Sequence, residues 1–223
     1  MKSAQMNHRE KERLDRFNKK VINQRVPLSG SIDLTHRCNL RCVHCYIGDK
    51  RTTCNGKKEM DTRQWKSIID EIVAAGCLNL LITGGEPLLR NDFADIYRHA
   101  KTKGMLVMVF TNGTLITEET LSLFKNLPPR AVEISLYGAT ADTYEKVTGI
   151  PGAYENCIRG IQGLIDQKIN LKLKTIFMSI NAHEFDDIER LAKSYGVNFR
   201  FDAAISPCID GNKAPLAFRV PPE

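Results

Sequence analysis

Short apolar runs alternate along this chain with longer segments whose apolar residues recur at helical spacing. The runs predict six strands, at residues 31–35, 78–82, 105–110, 131–136, 171–178 and 197–203. The longer segments predict helices at residues 61–76, 91–103, 117–127, 140–147, 154–168 and 183–195. Asp61 and Gly76 are capping residues at the two ends of the first of these helices. Strands that alternate with helices predict βαβ units and a parallel sheet.

Two architectures satisfy this order of elements. Right-handed crossovers give either an open, doubly wound sheet or a curved, partial TIM-like barrel, and the periodicity does not choose between them. In both folds, functional groups lie where the strands end at their carboxyl side. The residues that directly follow the strands are therefore the first candidates for a functional site.

The two ends of the chain differ from its middle. Residues 1–28 form a basic arm with a helical pattern, which supplies most of the net charge of +6. No nucleic-acid-binding motif accompanies this charge, so no nucleic-acid partner is expected. Residues 206–223 contain four prolines and no clear period, which predicts an irregular linker or tail. We expect this tail to lead toward a C-terminal domain that the chain lacks.

The chain has no apolar segment of membrane-spanning length and no signal-peptide core near its start. We therefore expect a cytoplasmic protein without a membrane partner. The number of cysteines, seven, is odd, and three of them lie within eight residues. In a reducing compartment, clustered thiols indicate metal ligation or catalysis before they indicate disulfides.

The cysteine cluster gives the strongest chemical signal. Cys38, Cys42 and Cys45 follow the first strand, separated by three and then two residues. Three thiolates in a tight loop can hold three corners of an iron–sulfur cube and leave one iron open for a ligand. A structural zinc site is the alternative, because zinc also accepts cysteine and histidine ligands. Its fourth ligand could be any of three residues, His36, His44 or Cys54.

Three further polar segments follow strands. Thr83–Pro87, with the sequence TGGEP, follows the second strand. Its two glycines allow close approach of the backbone to a ligand, the Glu86 carboxylate suits an ammonium group, and Pro87 stiffens the loop. Residues 111–114 (TNGT) follow the third strand, and Ser135 ends the fourth. Each of these segments taken singly is also compatible with an ordinary turn or strand end.

Taken together, the cysteine run, GGEP, TNG and ISLYG resemble the radical SAM superfamily over roughly residues 30–205. CNLRCVHCY and DTYEKVTGIPGAYENCIRGI are similar to a branch that often carries a C-terminal SPASM domain and modifies peptides, proteins or cofactor precursors. That domain holds auxiliary clusters on many cysteines, whereas only Cys208 follows the last strand here. The resemblance implies a radical SAM core at residues 29–205 without the SPASM domain. Its implied fold is α/β, a partial (βα)6 TIM-like barrel with parallel strands.

The resemblance also implies roles for individual residues. Cys38, Cys42 and Cys45 would bind three irons of a [4Fe–4S] cluster, and S-adenosylmethionine (SAM) would chelate the fourth. Gly84, Gly85 and Glu86 would contact the amino group of SAM. The other positions implied to bind SAM are Pro87, Asn112, Ser135, Lys146, His44 and Tyr46. Among these, Ser135 would reach the ribose or carboxylate, Lys146 the carboxylate, and His44 and Tyr46 the adenine.

The implied activity is reductive cleavage of SAM to a 5′-deoxyadenosyl radical, which takes a hydrogen atom from a substrate carbon. The implied partners are an electron donor such as flavodoxin or ferredoxin and a peptide or cofactor-precursor substrate. Two alternatives remain open, a zinc-stabilised α/β binding module and a truncated protein that binds the cluster and SAM without turnover. The residues assign no role to Cys54 or Cys208 and identify no further catalytic group.

Overall fold

A computed structural model describes residues 7–48 and 59–221 of the chain. Six strands form one sheet in sequential order, and every neighbouring pair is parallel. The strands are β1 (Ser29–Asp33), β2 (Asn79–Thr83), β3 (Leu106–Thr111), β4 (Ala131–Ser135), β5 (Leu171–Ile176) and β6 (Asn198–Asp202). In the described residues the sheet does not close, since β1 and β6 are its two edges. The predicted α/β fold, a partial (βα)6 barrel, is confirmed.

Helices occupy the segments between the strands. They are α1 (His8–Gln24), α2 (Thr62–Ala74), α3 (Phe93–Thr102), α4 (Glu118–Asn126), α5 (Ala141–Thr148), α6 (Ala153–Asp166) and α7 (Phe185–Ser194). Short 3₁₀ turns lie at Pro87–Leu89, Ala182–Glu184 and Ala214–Phe218. None of the helices in the described part of the chain is long and apolar enough to cross a membrane. The helix α1 lies within the predicted basic arm, and none of its residues is buried.

The largest difference from the predicted strands is at β1. It begins at Ser29, two residues before the predicted start, because Ser29 and Gly30 pair in register with Asn79 and Leu80 of β2. Glycine and serine carry no apolar signal, so this part of the strand is defined by backbone pairing alone.

The two faces of the sheet have different compositions. A sequential strand order with right-handed crossovers places the helices on one face of the sheet. That face is apolar, and its residues Ile82, Val109, Ile134 and Leu173 are fully buried among helix residues. Neighbouring residues of a strand point to opposite faces of the sheet. Glu133, which precedes Ile134 in β4, therefore lies on the other face.

The helix α6 packs closely against the loop that follows β3. A Cβ atom added at Gly160 would lie 2.2 Å from the carbonyl oxygen of Gly113. On the same helix, a Cβ at Gly163 would meet Cδ1 of Leu121 at 2.9 Å, the end of a flexible side chain. The backbone of the TNG loop is thus held against α6 at a distance that only glycine allows.

This contact predicts opposite outcomes for two alanine substitutions in one helix. Gly160→Ala should lower the free energy of unfolding by about 2 kcal/mol, because overpacking against backbone exceeds the gain of about 1 kcal/mol in helix propensity. Gly163→Ala is the matched control and should change the free energy of unfolding by less than about 1 kcal/mol. Urea denaturation followed by circular dichroism measures both, and equal stabilities for the two variants would contradict the packing described here.

Candidate functional site

A cavity of about 180 Å³ lies at the carboxyl ends of the strands. Its walls come from the loop after β1 and from the ends of β2, β3, β4 and β5. The residues with a predicted site role that line it are Cys38, Cys42, His44, Cys45, Tyr46, Gly84, Gly85, Asn112 and Ser135. Segments far apart in the sequence therefore meet in one place, as the parallel strand order requires.

Backbone contacts hold the loop that carries the cysteines. The N–H groups of Arg41 and Val43 donate to the carbonyl oxygens of Thr148 and Val147, at 2.8 and 2.9 Å. These acceptors are at the end of α5, so a helix fixes the loop. The shape of the loop is therefore fixed by backbone hydrogen bonds to α5.

The three cysteines are partly buried, and their chemistry suits a metal cluster. The pKa of the Cys38 thiol is raised to about 11, mainly because the thiol is buried. A thiolate at this position therefore needs a nearby cation. Thiolates are the usual protein ligands of iron–sulfur clusters. The donor set thus fits a [4Fe–4S] cluster.

No preformed metal site, whether for zinc or for the irons of a cluster, is present in residues 7–48 and 59–221. No three histidine, cysteine, aspartate or glutamate side chains in these ranges converge to hold a metal ion. His36 does not line the cavity, whereas His44 does. Cys54, the third candidate for a fourth zinc ligand, lies outside the described residues.

The two glycines of the TGGEP segment are required by a contact within the protein. A Cβ atom at Gly84 would lie 2.4 Å from the carbonyl oxygen of Thr35, and one at Gly85 would lie 2.3 Å from that of Arg37. Gly84 also has a φ of +142°, which side chains rarely permit. The N–H groups of Gly85 and Glu86 donate to the same two carbonyls, at 2.7 and 2.9 Å. The segment is thereby fixed to the chain that leads into the cysteine loop.

The Glu86 side chain joins the ends of β2 and β3. It is inaccessible to solvent. Its carboxylate accepts hydrogen bonds from the Thr111 hydroxyl at 2.8 Å, the Asn112 N–H at 2.7 Å and the Leu88 N–H at 2.9 Å. Burial raises its pKa to about 7, although these hydrogen bonds favour the charged form. The carboxylate thus positions the residues that follow β3.

Asn112 extends this link to the cysteine loop. Its Nδ2 donates to Oδ1 of Asn39 at 2.9 Å and lies 3.8 Å from Sγ of Cys38. Asn39 in turn donates to the Thr114 hydroxyl at 2.8 Å. Two side-chain amides therefore connect the loop after β3 to the first cysteine, and Glu86 accepts from the backbone N–H of one of these residues, Asn112.

His44 and Tyr46 line the cavity beside the last cysteine. The His44 ring meets the edge of the Tyr137 ring at a centroid distance of 4.7 Å. Its Nδ1 is buried and has no hydrogen-bond partner in the described part of the chain. Burial, aided by the charge of Lys174, lowers the His44 pKa to about 4, so the ring is neutral at pH 7. An unpartnered buried nitrogen of this kind marks a position where a ligand can bind.

The tail after β6 also reaches the cysteine loop. The Ile209 N–H donates to the carbonyl oxygen of Tyr46 at 2.8 Å, and the buried Cys208 lies against Gly48. This contact gives the tail a place in the structure, although it assigns no chemical role to Cys208.

Three residues with a predicted role in SAM binding do not line the cavity, and the buried Glu86 is one of them. Pro87 is buried at the start of a 3₁₀ turn. Lys146 is exposed on α5, where its Nζ pairs with Asp142 at 2.6 Å. Their roles in SAM binding stay predictions.

Lys174 lines the cavity, but the sequence analysis gives it no role. It lies on β5, and Glu133, with which it pairs, lies in the centre of the buried strand β4. A charged residue in the middle of a buried apolar strand is the signal that could have identified both.

Comparisons with known proteins agree with this geometry. Residues 32–194 match the Radical SAM superfamily. An AdoMet-dependent heme synthase of Methanosarcina barkeri is 34% identical over 164 residues, covering 74% of this chain and 46% of that protein. The mycofactocin maturase MftC of Mycobacterium tuberculosis is 33% identical over 179 residues, covering 78% of this chain and 44% of that protein. The chain thus spans less than half the length of these curated relatives.

A solved structure shows the same fold. The crystal structure of Streptococcus suis SuiB bound to S-adenosylmethionine matches with a TM-score of 0.69 and 16% identity, covering 96% of this chain and 48% of that one. The segment that matches the Radical SAM superfamily, residues 32–194, spans most of the chain and contains the three cysteines, the TGGEP segment and Ser135. The chain therefore belongs to the radical SAM superfamily, and this membership implies an enzyme whose cofactors are S-adenosylmethionine and a [4Fe–4S] cluster.

Proposed function

We propose that Cys38, Cys42 and Cys45 hold a [4Fe–4S] cluster and that SAM binds between this cluster and the ends of β2 to β5. The observation that carries the proposal is that the three cysteines and these strand ends line one cavity. When bound, the cluster and SAM supply one-electron cleavage of the sulfonium and abstraction of a hydrogen atom from a substrate carbon. The chain's own residues bind the cofactors, orient them and exclude water.

The TGGEP segment would receive the amino group of SAM through its carbonyl oxygens. Its N–H groups at Gly85 and Glu86 already donate to Thr35 and Arg37, and an ammonium group needs acceptors. The Ser135 hydroxyl, at the end of β4, would bind the ribose or carboxylate. His44 and Tyr46 would contact the adenine, and the buried ring of Tyr137 would help to exclude water.

The substrate we propose is a peptide or a cofactor precursor. This proposal rests on the names of the relatives, a heme synthase and a mycofactocin maturase. An electron donor such as flavodoxin or ferredoxin would reduce the cluster, and the reaction would take place in the cytoplasm. A zinc-binding module and a protein that binds both cofactors without turnover are the alternatives that the following experiment separates.

Anaerobic reconstitution with iron and sulfide tests the cluster. The wild-type protein should contain about four irons per chain and absorb in the visible range, as a single cube requires. Cys42→Ala should lose most of the iron, because one corner of the cube loses its thiolate. Cys77→Ala is the matched control, since Cys77 is buried at the start of β2 and does not line the cavity. It should retain the iron.

Reduction of the reconstituted protein with added SAM then tests turnover. The proposal predicts 5′-deoxyadenosine from the wild-type protein and from Cys77→Ala, and none from Cys42→Ala. A colourless protein with one zinc per chain would falsify the proposed function. A fully loaded cluster that binds SAM without yielding 5′-deoxyadenosine would support the alternative without turnover.

A second prediction concerns Glu86. Glu86→Gln replaces one carboxylate oxygen by an amide NH₂ and leaves a buried donor without an acceptor. We expect the free energy of unfolding of the cluster-free protein to fall by about 1–3 kcal/mol. Glu189→Gln, on the exposed side of α7, is the control and should change it by less than about 0.5 kcal/mol. Denaturant titration measures both.

An increase in the free energy of unfolding on Glu86→Gln would also have a physical explanation. Because burial raises the Glu86 pKa, glutamine removes an unfavourable charge. A Glu86→Gln variant as stable as the wild type, or more stable, would show that the three hydrogen bonds do not compensate for that burial and that the carboxylate does not hold the site together.

A further inference from the structure

A group of charged side chains lies on the cavity side of the sheet, on β4, β5 and β6. Nζ of Lys174 lies 3.5 Å from Oε1 of Glu133 and 3.8 Å from the centre of the Phe110 ring. Arg200 donates to the same carboxylate, through Nε to Oε2 at 3.0 Å and through Nη2 to Oε1 at 2.5 Å. One carboxylate is thus shared between two cations.

The members of this cluster differ in their exposure to solvent. The Glu133 side chain is 3% exposed, that of Lys174 is 22% exposed and that of Arg200 is 51% exposed. Phe110 and Lys174 line the cavity, and Lys174 is the only lysine or arginine among the described residues that do so. Glu133 and Phe110 therefore both contact the ammonium of Lys174, and the Lys174 side chain forms part of the cavity wall.

The charges of this cluster are not balanced around Lys174. Burial lowers the Lys174 pKa, and the charge of Arg200 lowers it further, although Glu133 and Asp202 act in the opposite direction. The carboxylates present do not fully compensate for removing the ammonium from water, whereas a carboxylate in the cavity would contribute further.

We propose that Lys174, supported by Phe110 and Glu133 and backed by Arg200, binds a carboxylate group of a ligand in the cavity. The proposal rests on the proposed function, because it takes the cavity to be the place where SAM and substrate meet. Lys174 is the register neighbour of Ser135, so the site lies beside a predicted SAM contact. The carboxylate can come from the methionine part of SAM or from the substrate, and the two sources require separate probes.

Binding measurements on the anaerobically reconstituted protein separate these sources. The first pair of probes is SAM and decarboxylated SAM, which differ only in the carboxylate. The second pair is N-acetylglutamate methylamide and its glutamine counterpart, titrated in the presence of SAM. The variants are Lys174→Met, which removes the charge, Lys174→Arg, which keeps it, and Lys193→Met on the exposed side of α7 as the control. Thermal unfolding checks that each variant is folded.

If SAM supplies the carboxylate, the wild type should bind SAM about tenfold more tightly than decarboxylated SAM, as one charge-assisted hydrogen bond allows. Lys174→Met should weaken this preference, because only ligation of the cluster iron by the carboxylate then distinguishes the two probes, and Lys174→Arg should retain more of it. If the substrate supplies the carboxylate, Lys174→Met should keep the preference for SAM and lose that for the glutamate probe. The control Lys193→Met should behave as the wild type in both titrations.

Two results would overturn the proposal. Either the wild type shows no preference within either pair of probes, or Lys174→Met keeps every preference of the wild type. The charged cluster would then serve only to stabilise the sheet. Failure of the proposed function is recognised separately, because the wild type would then lack iron and SAM binding, while the glutamate pair would still report on Lys174.

Discussion

The buried carboxylate of Glu86 is the interaction on which the candidate site depends. It accepts three hydrogen bonds, two of them from residues that end β3 and begin the loop after it. A hydrogen bond to a charged group contributes about 1.5–3 kcal/mol, which is enough to offset part of the cost of burying the charge. Through Asn112 and Asn39 the same carboxylate fixes the surroundings of Cys38. The cysteine loop and the ends of β2 and β3 are therefore connected through side-chain hydrogen bonds.

The sheet separates two kinds of chemistry. Its apolar face packs against the helices and provides most of the core, including Ile82, Val109 and Ile134. Its other face carries Glu133 and Lys174, which pair with each other, and Lys174 lines the cavity. A parallel order with short strands brings the polar ends of these strands together. The fold thus supplies a rigid wall, and the loops supply the side chains that would hold a cofactor.

The sequence predicts most of the fold because periodicity and capping residues are local signals. The strand and helix boundaries agree within two residues, and the cysteine loop and the strand ends meet as the parallel order requires. The contacts of the TGGEP glycines with Thr35 and Arg37 are not visible in a linear pattern, whereas the predicted contact of these glycines with a ligand stays a prediction. The sequence does not single out Lys174, because its partner Glu133 lies 41 residues earlier. The role of Lys146 in SAM binding stays a prediction, and its side chain pairs with Asp142 on the exposed surface of α5.

The central claim is that the cysteines and the strand ends form one site in which SAM binds an iron that lacks a thiolate. Electron paramagnetic resonance of the reduced, reconstituted protein before and after addition of SAM tests it most directly. Ligation of that iron by SAM changes its electronic environment, so the account predicts that SAM alters the spectrum of the [4Fe–4S] cluster. A cluster spectrum that is the same with and without saturating SAM would contradict it.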